Sequence, residues 1–317
     1  MDRDKTQVAV MGAGAVGSYV GGMLARVGFD VTLIARPAHV EAIRRDGLLM
    51  DTTSFCERVR VNATSDAAAV AGADFILFCV KTTDTESASR EIAPHLKSGA
   101  LVISLQNGVD NVARIRAASS IDAIPGVVYI AVSLTEPGAI KHVSRGDFVI
   151  GEMTPRSKSP SERCQRIVEL FTGANMPCKI SDNVEGELWA KFVMNCAGNG
   201  VAAIAQTSYG EAVREPHTRI VMARLIEETL AVAKASGIQL PETDFIGNGL
   251  RFFESMSVAT SSTARDIARG KPTEIDSLNG LVARLGAELN IPTPVNFTIH
   301  ALVKLLEEKN EKAKAAF

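Results

Sequence analysis

The stretch VAVMGAGAVGSYVGGML, residues 8–24, decides the architecture. A short apolar run ends in a turn that places Gly12, Gly14 and Gly17 as G-x-G-x-x-G, and a helical pattern follows from about Ala15 to Val27. A second apolar run, DVTLIA, begins at Asp30. The motif alone is weak. Between a strand and a helix, with another strand after it, its glycines allow a tight turn and close backbone approach to a pyrophosphate at the helix N-terminus. Gly12, Ala13, Gly14, Ala15, Val16 and Gly17 are the expected phosphate cradle.

The same alternation continues outward. A helix beginning near Pro37 follows DVTLIA, DFILFCV precedes a helix from about Asp84 to Leu96, and ALVISL precedes one from about Val109. Strands alternating with helices predict a parallel sheet wrapped by helices. Two stretches read as antiparallel: residues 48–61, and the segment PGVVYIAVSL…GAIKHV…DFVIGE. In the second, turn residues separate short strands, which predicts an edge meander added to the sheet. TPRSKSPSER, residues 154–163, reads as a polar loop entering another helix, and a last short strand lies around CKI, before SDN at 181–183. Helical periodicity then runs to the end. The expected fold class is α/β: a mainly parallel-sheet domain over residues 1–182, followed by an all-α domain over residues 183–317.

Composition narrows the function classes. A chain of 317 residues suggests two domains, and 46% hydrophobic residues are enough for two cores. Lys plus Arg total 34 against 36 Asp plus Glu, and no dense basic run occurs, which argues against a nucleic-acid partner. The N-terminal MDRDKTQ lacks the apolar core of a secretory signal, and runs such as FILFCV are too short to span a bilayer. Cys56, Cys79, Cys164, Cys178 and Cys196 form no C-x-x-C pair. That usage fits reduced thiols and a cytoplasmic location better than disulfides or a metal site. The expected partner is a small molecule. The amphipathic helices after Arg219 can pack within their domain or across a homodimer, and the sequence leaves both open.

The second strand selects the cofactor. Dinucleotide binders that use NAD usually end it with an acid on the ribose; here it ends in LIAR, with no acid before Glu41. Arg36 falls where a 2′-phosphate would lie, so NADP(H) is expected. Lys81, in FCVKTTDT, follows the third strand and is a second candidate for that phosphate or its ribose. In SLQNGVDN, Asn107-Gly108 reads as a tight turn at a strand's carboxyl end, where open α/β sheets bind ligands.

The helical half carries an anomaly, KFVMNCAGNG, residues 191–200. Steps of four put Lys191, Asn195 and Asn199 on one helix face, among Trp189, Phe192, Val193 and Met194. Such groups are costly in an apolar helix without partners, and a bound polar substrate would supply them. A lysine desolvated beside a cofactor can act as general acid. Gly198 and Gly200 weaken the helix after Asn195, and with it the helical placement of Asn199. In SSTARDIARGKPTEIDSLNG, residues 261–280, Ser262 and Asp266 share a helix that GKP breaks. Thr273 with Asp276 reads as an acidic capping box. Glu274 would then sit in the first turn of the next helix, where the dipole favours its ionised form. A carboxylate there can hold a substrate hydroxyl or position the lysine.

Together, GAGAVG, CVKTTDT, SLQNGVDN, LWAKFVMNCAGN and SSTARDIARGKPTEIDSLNG resemble the ketopantoate reductase (2-dehydropantoate 2-reductase) family, in the family's order and over residues 12–280. The resemblance implies a Rossmann-type domain followed by a helical one. It implies NADPH-dependent reduction of a 2-keto acid to pantoate, a step of pantothenate and coenzyme A biosynthesis. Lys191 would give the proton and Glu274 would anchor the substrate hydroxyl. Asn195 and Asn199 would contact its polar oxygens, Ser262 its carboxylate, and Asn107 the region between nicotinamide and substrate. Arg36 and Lys81 match the family's 2′-phosphate contacts. One position departs: QTSYGEA carries Tyr209 where the family often has a substrate-contacting asparagine. That leaves another branched or aromatic 2-keto acid as an alternative substrate. A β-hydroxyacid dehydrogenase relative and a non-catalytic NADPH sensor are the competing classes; Arg36 and the Glu274 segment oppose the first, the polar stripe the second.

Overall fold

The computed structural model describes residues 2–3, 5–153, 160–241 and 244–315. The chain divides into two compact units, one ending at Val184 and one beginning at Glu185.

The first unit is built on β1 (Gln7–Met11), α1 (Ala15–Arg26), β2 (Asp30–Ile34), α2 (Pro37–Asp46), β3 (Leu48–Asp51), β4 (Cys56–Val59), β5 (Asn62–Thr64), β6 (Phe75–Phe78), α3 (Thr85–Ile92), β7 (Leu101–Ser104), α4 (Asn111–Ser119), β8 (Ile124–Glu136), β9 (Ala139–Ile150), α5 (Glu162–Thr172) and β10 (Cys178–Ile180). The sheet order is β4-β3-β9-β8-β7-β6-β1-β2-β5, with β10 on β9. The run from β5 through β2, β1, β6 and β7 to β8 is parallel. β6 is buried along its whole length, the pattern of a strand covered on both faces. The unit is α/β with a mostly parallel sheet. The helix after β6 stops at Ile92, short of Leu96, and Pro94 sits in a 3-10 turn that replaces its last turn.

The expected edge meander is not what forms. β8 and β9 make one long antiparallel hairpin inside the sheet, and β3, parallel to β9, carries the antiparallel β4 beyond it. The segment VSRGD, which looks like a turn between two strands, lies within β9. Arg145 and Gly146 take φ of 58° and 153°, yet the ladder pairs Ile130 with Arg145 and Tyr129 with Asp147 on either side of Gly146. Gly146 is the extra residue of a β-bulge, so the turn signal bends a strand instead of ending it. Of the polar loop expected at residues 154–163, residues 154–159 lie outside the described residues; Ser161 caps α5 by accepting from the Cys164 N–H.

The second unit is all-helical: α6 (Val184–Ala205), α7 (Tyr209–Arg214), α8 (Pro216–Ala235), α9 (Phe245–Ser255), α10 (Ser262–Ala268), α11 (Asn279–Glu288) and α12 (Pro294–Ala315). Its core gathers Val193, Ala197 and Val201 of α6 with Leu225 and Ile226 of α8, Phe253 of α9 and Ile299 of α12. Among the described residues no helix is long and apolar enough to cross a membrane.

Candidate active site

The parallel strands of the first unit align its candidate residues along one rim. In the strand order β7-β6-β1-β2, Asn107 follows β7, Lys81 follows β6, Gly12 follows β1 and Arg36 follows β2. Neighbouring strands lie about 4.8 Å apart, so the carboxyl ends carry one residue set across adjacent strands. Such a rim is where open sheets take ligands.

The glycine turn meets the demands of a phosphate cradle. Gly12 has φ of +90°, and a Cβ there would stand 2.6 Å from the Val80 backbone nitrogen. A Cβ on Gly17 would stand 2.7 Å from the Gly12 carbonyl oxygen. A Cβ on Gly14 would meet nothing within 4 Å. Two glycines therefore serve packing, and the third keeps the open side of the turn free of a side chain. The N-terminus of α1, at Ala15 and Val16, has no capping side chain and no acid in its first turn. Its N–H groups and dipole suit an anion such as a dinucleotide pyrophosphate. Both the Gly12 and Ala13 N–H groups donate to the Ile34 carbonyl, at 3.1 and 2.9 Å, which fixes the turn to the end of β2. Two residues on, Arg36 is exposed at the N-cap of α2.

Residues that the sequence pattern does not single out hold the other two loops. A buried chain of hydrogen bonds runs in one direction: Ser104 Oγ donates to Gln106 Oε1 (3.0 Å), Gln106 Nε2 to Thr85 Oγ1 (2.7 Å), Thr85 Oγ1 to Asn111 Oδ1 (3.1 Å), and Asn111 Nδ2 to the Asn107 carbonyl (2.6 Å). A satisfied network of this kind fixes the SLQNG turn and the backbone of Asn107. Arg114 of α4 braces the Lys81 loop, with Nη2 on the Thr82 carbonyl at 2.7 Å and Nε on Glu86 at 2.7 Å. That contact pulls the Glu86 carboxyl below its usual range. Burial pushes the Cys79 thiol, beside the glycine turn, up to about 12, so it is no nucleophile at neutral pH.

In the second unit α6 continues through Gly198 and Gly200 to Ala205. The glycines do not end it because tertiary packing outweighs their propensity. A Cβ on Gly198 would stand 2.7 Å from Phe253 and 2.8 Å from Tyr209, and one on Gly200 would stand 2.2 Å from Ile299. They are notches that admit neighbouring side chains. The continuous helix puts Lys191, Asn195 and Asn199 on one face at steps of about 6 Å. Lys191 and Asn195 are half-buried, on the least covered stripe of the helix between Leu188 and Ala203. Asn199 is only 4% exposed and has a partner: Tyr209 donates its hydroxyl to Asn199 Oδ1 at 2.7 Å. Burial pushes the Tyr209 phenol up, so it stays a donor. With Oδ1 taken, the Asn199 carboxamide turns its Nδ2 side to any further acceptor.

Tyr209 is the first residue of α7, held there by a complete capping box of Ser208 and Glu211. The other box, expected at Thr273 and Asp276, does not form. Thr273 Oγ1 accepts from the Ile275 N–H (3.2 Å), and the Asp276 carboxylate faces α12, where His300 (2.7 Å) and Lys304 (2.9 Å) meet it. Two side-chain donors, one of them the Lys304 ammonium, outcompete one backbone N–H. Glu274 consequently precedes a 3-10 turn of residues Ile275–Ser277, ahead of α11. Ser262 opens α10, half-buried, but the residue before it bears the tertiary bond. Ser261 caps α10 and donates to the Asn199 carbonyl at 3.1 Å. Asn279, fully buried, donates from Nδ2 to the Cys196 carbonyl and to Asn296 Oδ1, both at 2.9 Å. Asn296 in turn donates to Glu228, whose carboxylate also accepts the first N–H groups of α12. The turn that carries Glu274 is thereby anchored to α6, the helix that carries Lys191.

Comparison with known proteins agrees on both halves. Residues 8–155 match the family model "Ketopantoate reductase PanE/ApbA" and residues 183–307 match "Ketopantoate reductase PanE/ApbA C terminal". The 2-dehydropantoate 2-reductase of Pyrococcus horikoshii is 31% identical, over 95% of this chain and 97% of its own. That of Archaeoglobus fulgidus is 32% identical, over 95% and 98%. The crystal structure of a PanE/ApbA family ketopantoate reductase from Ralstonia eutropha superposes with a TM-score of 0.91 at 48% identity, covering 96% of this chain and all of that one. With both halves matched and relatives above 30% identity along nearly its full length, this chain belongs to the ketopantoate reductase family, a family of oxidoreductases.

Proposed function

We propose that this protein reduces 2-dehydropantoate to pantoate with NADPH, and so serves pantothenate and coenzyme A biosynthesis in the cytoplasm. Two built features carry the proposal, one in each unit: the glycine cradle with Arg36 on the sheet rim, and the Lys191–Asn195–Asn199 face of α6. The nicotinamide, when bound, supplies a hydride for the 2-oxo carbon. Residues 12–17 hold the pyrophosphate on uncapped N–H groups. Arg36 and Lys81 bind the 2′-phosphate, and Arg36 can do so through two parallel hydrogen bonds. Asn107 would meet the nicotinamide end of the dinucleotide.

Lys191 is the general acid: its ammonium gives a proton to the substrate's 2-oxo oxygen as that oxygen gains charge, and water restores the proton afterwards. Asn195 and the Nδ2 side of Asn199 donate to substrate oxygens, and Ser262 donates to the carboxylate. Glu274 accepts the substrate hydroxyl. One observation favours a second substrate. Tyr209 is packed on Phe253 at 5.3 Å and donates to the side-chain oxygen Oδ1 of Asn199, which suits a branched or aromatic 2-oxo acid with no second hydroxyl to place.

Steady-state rates on a panel of 2-oxo acids, each with NADPH and NADH, test the assignment. The expected preference is for 2-dehydropantoate and NADPH; a better kcat/KM on an aromatic 2-oxo acid transfers the assignment to the second substrate. Lys191→Ala should lower kcat by about 10²–10⁴-fold while NADPH still binds. Turnover that survives the substitution removes Lys191 from its role.

A further inference from the structure

The neighbours of His39 fix its protonation state. It is buried in the first turn of α2, three residues after Arg36. The Gly138 backbone N–H, which can only donate, reaches its Nδ1 at 2.8 Å. Nδ1 is therefore bare and the ring proton sits on Nε2. Nε2 lies 3.0 Å from Ser18 Oγ and donates to it. Ser18, fully buried, then gives its own hydroxyl proton to the Ala13 carbonyl at 3.1 Å. Every group in the chain has one assignment, and the imidazole is uncharged. Burial acts the same way, pushing the histidine below its ordinary pKa.

The chain ties four parts of the fold together: the first turn of α2, the β8–β9 turn, helix α1 and the glycine turn. Arg36 belongs to it mechanically, because its carbonyl accepts the N–H groups of His39 (3.0 Å) and Val40 (3.1 Å). The β8–β9 turn also packs directly on α2: a Cβ on Gly138 would stand 2.9 Å from the Ala42 Cβ. The spacing between Arg36 and the glycine turn is thus held at two points. One is the Ile34 carbonyl, to which the turn is bonded; the other is His39.

We propose that His39 is a positioning residue for the cofactor site, which holds Arg36 at a fixed reach from the glycine turn and so sets the preference for a 2′-phosphorylated dinucleotide. This rests on Arg36 facing a 2′-phosphate, as proposed above. The test is fluorescence titration of NADPH and NADH against the whole protein, with thermal unfolding recorded for each variant. His39→Phe keeps a ring but loses both bonds; it should weaken NADPH binding about tenfold and NADH binding less than about twofold, the effect of one misplaced charge-assisted contact. His39→Gln, whose carboxamide both donates and accepts, should recover most of the preference. Ser18→Ala should act in the direction of His39→Phe, and it serves should the latter fold poorly. Arg36→Ala should remove most of the difference between the two affinities, leaving only what Lys81 supplies. If Arg36→Ala does so while His39→Phe and Ser18→Ala weaken both dinucleotides alike, or neither, His39 is a packing residue and the proposal is overturned with the cofactor assignment standing. If Arg36→Ala leaves the preference intact, the assignment itself is wrong and the proposal falls with it.

Discussion

Under the proposed function, the glycine turn of the first unit and helix α6 of the second would work through different atoms. The turn would offer backbone N–H donors, and there the sequence contributes mainly by leaving side chains out. Helix α6 would offer side chains, and there the sequence contributes by placing an ammonium and two carboxamides where apolar residues would pack. Glycines occur in both regions for different reasons. Gly12 and Gly17 let backbone approach backbone, whereas Gly198 and Gly200 let helix approach side chain. A backbone site tolerates no added atom on its packed side, while a side-chain site depends on distant partners that orient it.

That contrast can be broken experimentally, and the sharpest test is inside the glycine motif. Gly12→Ala forces a Cβ into a left-handed residue against the Val80 backbone, and should cost on the order of 3 kcal/mol or more from strain and overpacking together. Gly14→Ala meets no atom within 4 Å and should leave the unfolding midpoint nearly unchanged, yet weaken dinucleotide binding. Equal loss of stability in the two variants would contradict the division of labour. Next in size is Gly200→Ala on α6, whose Cβ would press on the β-branched methyl of Ile299; urea unfolding should show a loss of about 1–3 kcal/mol, the cost of one extra methyl in a filled core.

Smaller again is Tyr209→Phe, which deletes one buried hydrogen bond worth about 1 kcal/mol and frees the Asn199 carboxamide to rotate. Its signature should be a rise in KM for 2-oxo acids with little change in kcat; an unchanged KM means that Asn199 needs no fixed orientation. The smallest effect concerns the Lys81 loop. Glu86 has its folded pKa lowered by the hydrogen bonds from Arg114, so the pair contributes stability above the unfolded carboxyl value and loses it as pH falls through the folded one. Both side chains are partly exposed, and the contribution should stay below about 1 kcal/mol. Unfolding of Arg114→Met followed from pH 7 to pH 3 should show a difference from the parent that shrinks on acidification, and a difference that grows would reverse the sign.

How legible each feature was in the sequence follows from its range along the chain. The alternation of strands and helices, the glycine motif and the step-of-four stripe were legible because each is written within a few turns of contiguous residues. The errors were local signals overruled from afar. VSRGD carries the chemistry of a turn, but pairing with β8 on both sides keeps it in one strand. The Thr273–Asp276 pattern fits a capping box, but His300 and Lys304 draw the acid away. The glycines of α6 read as weakness because Phe253, Tyr209 and Ile299, which fill their notches, come from other elements.

By itself the sequence determined which backbone segments could cradle a phosphate and which helix face could carry a proton donor, because periodicity and turn chemistry are local properties. Only the tertiary structure decided which groups orient them. The Tyr209–Asn199, Cys196–Asn279 and His39–Gly138 contacts span 10, 83 and 99 residues, separations that no local pattern encodes. The physical reason is that a hydrogen bond reaches only about 3 Å. Its partners are known only once folding has brought those distant segments together.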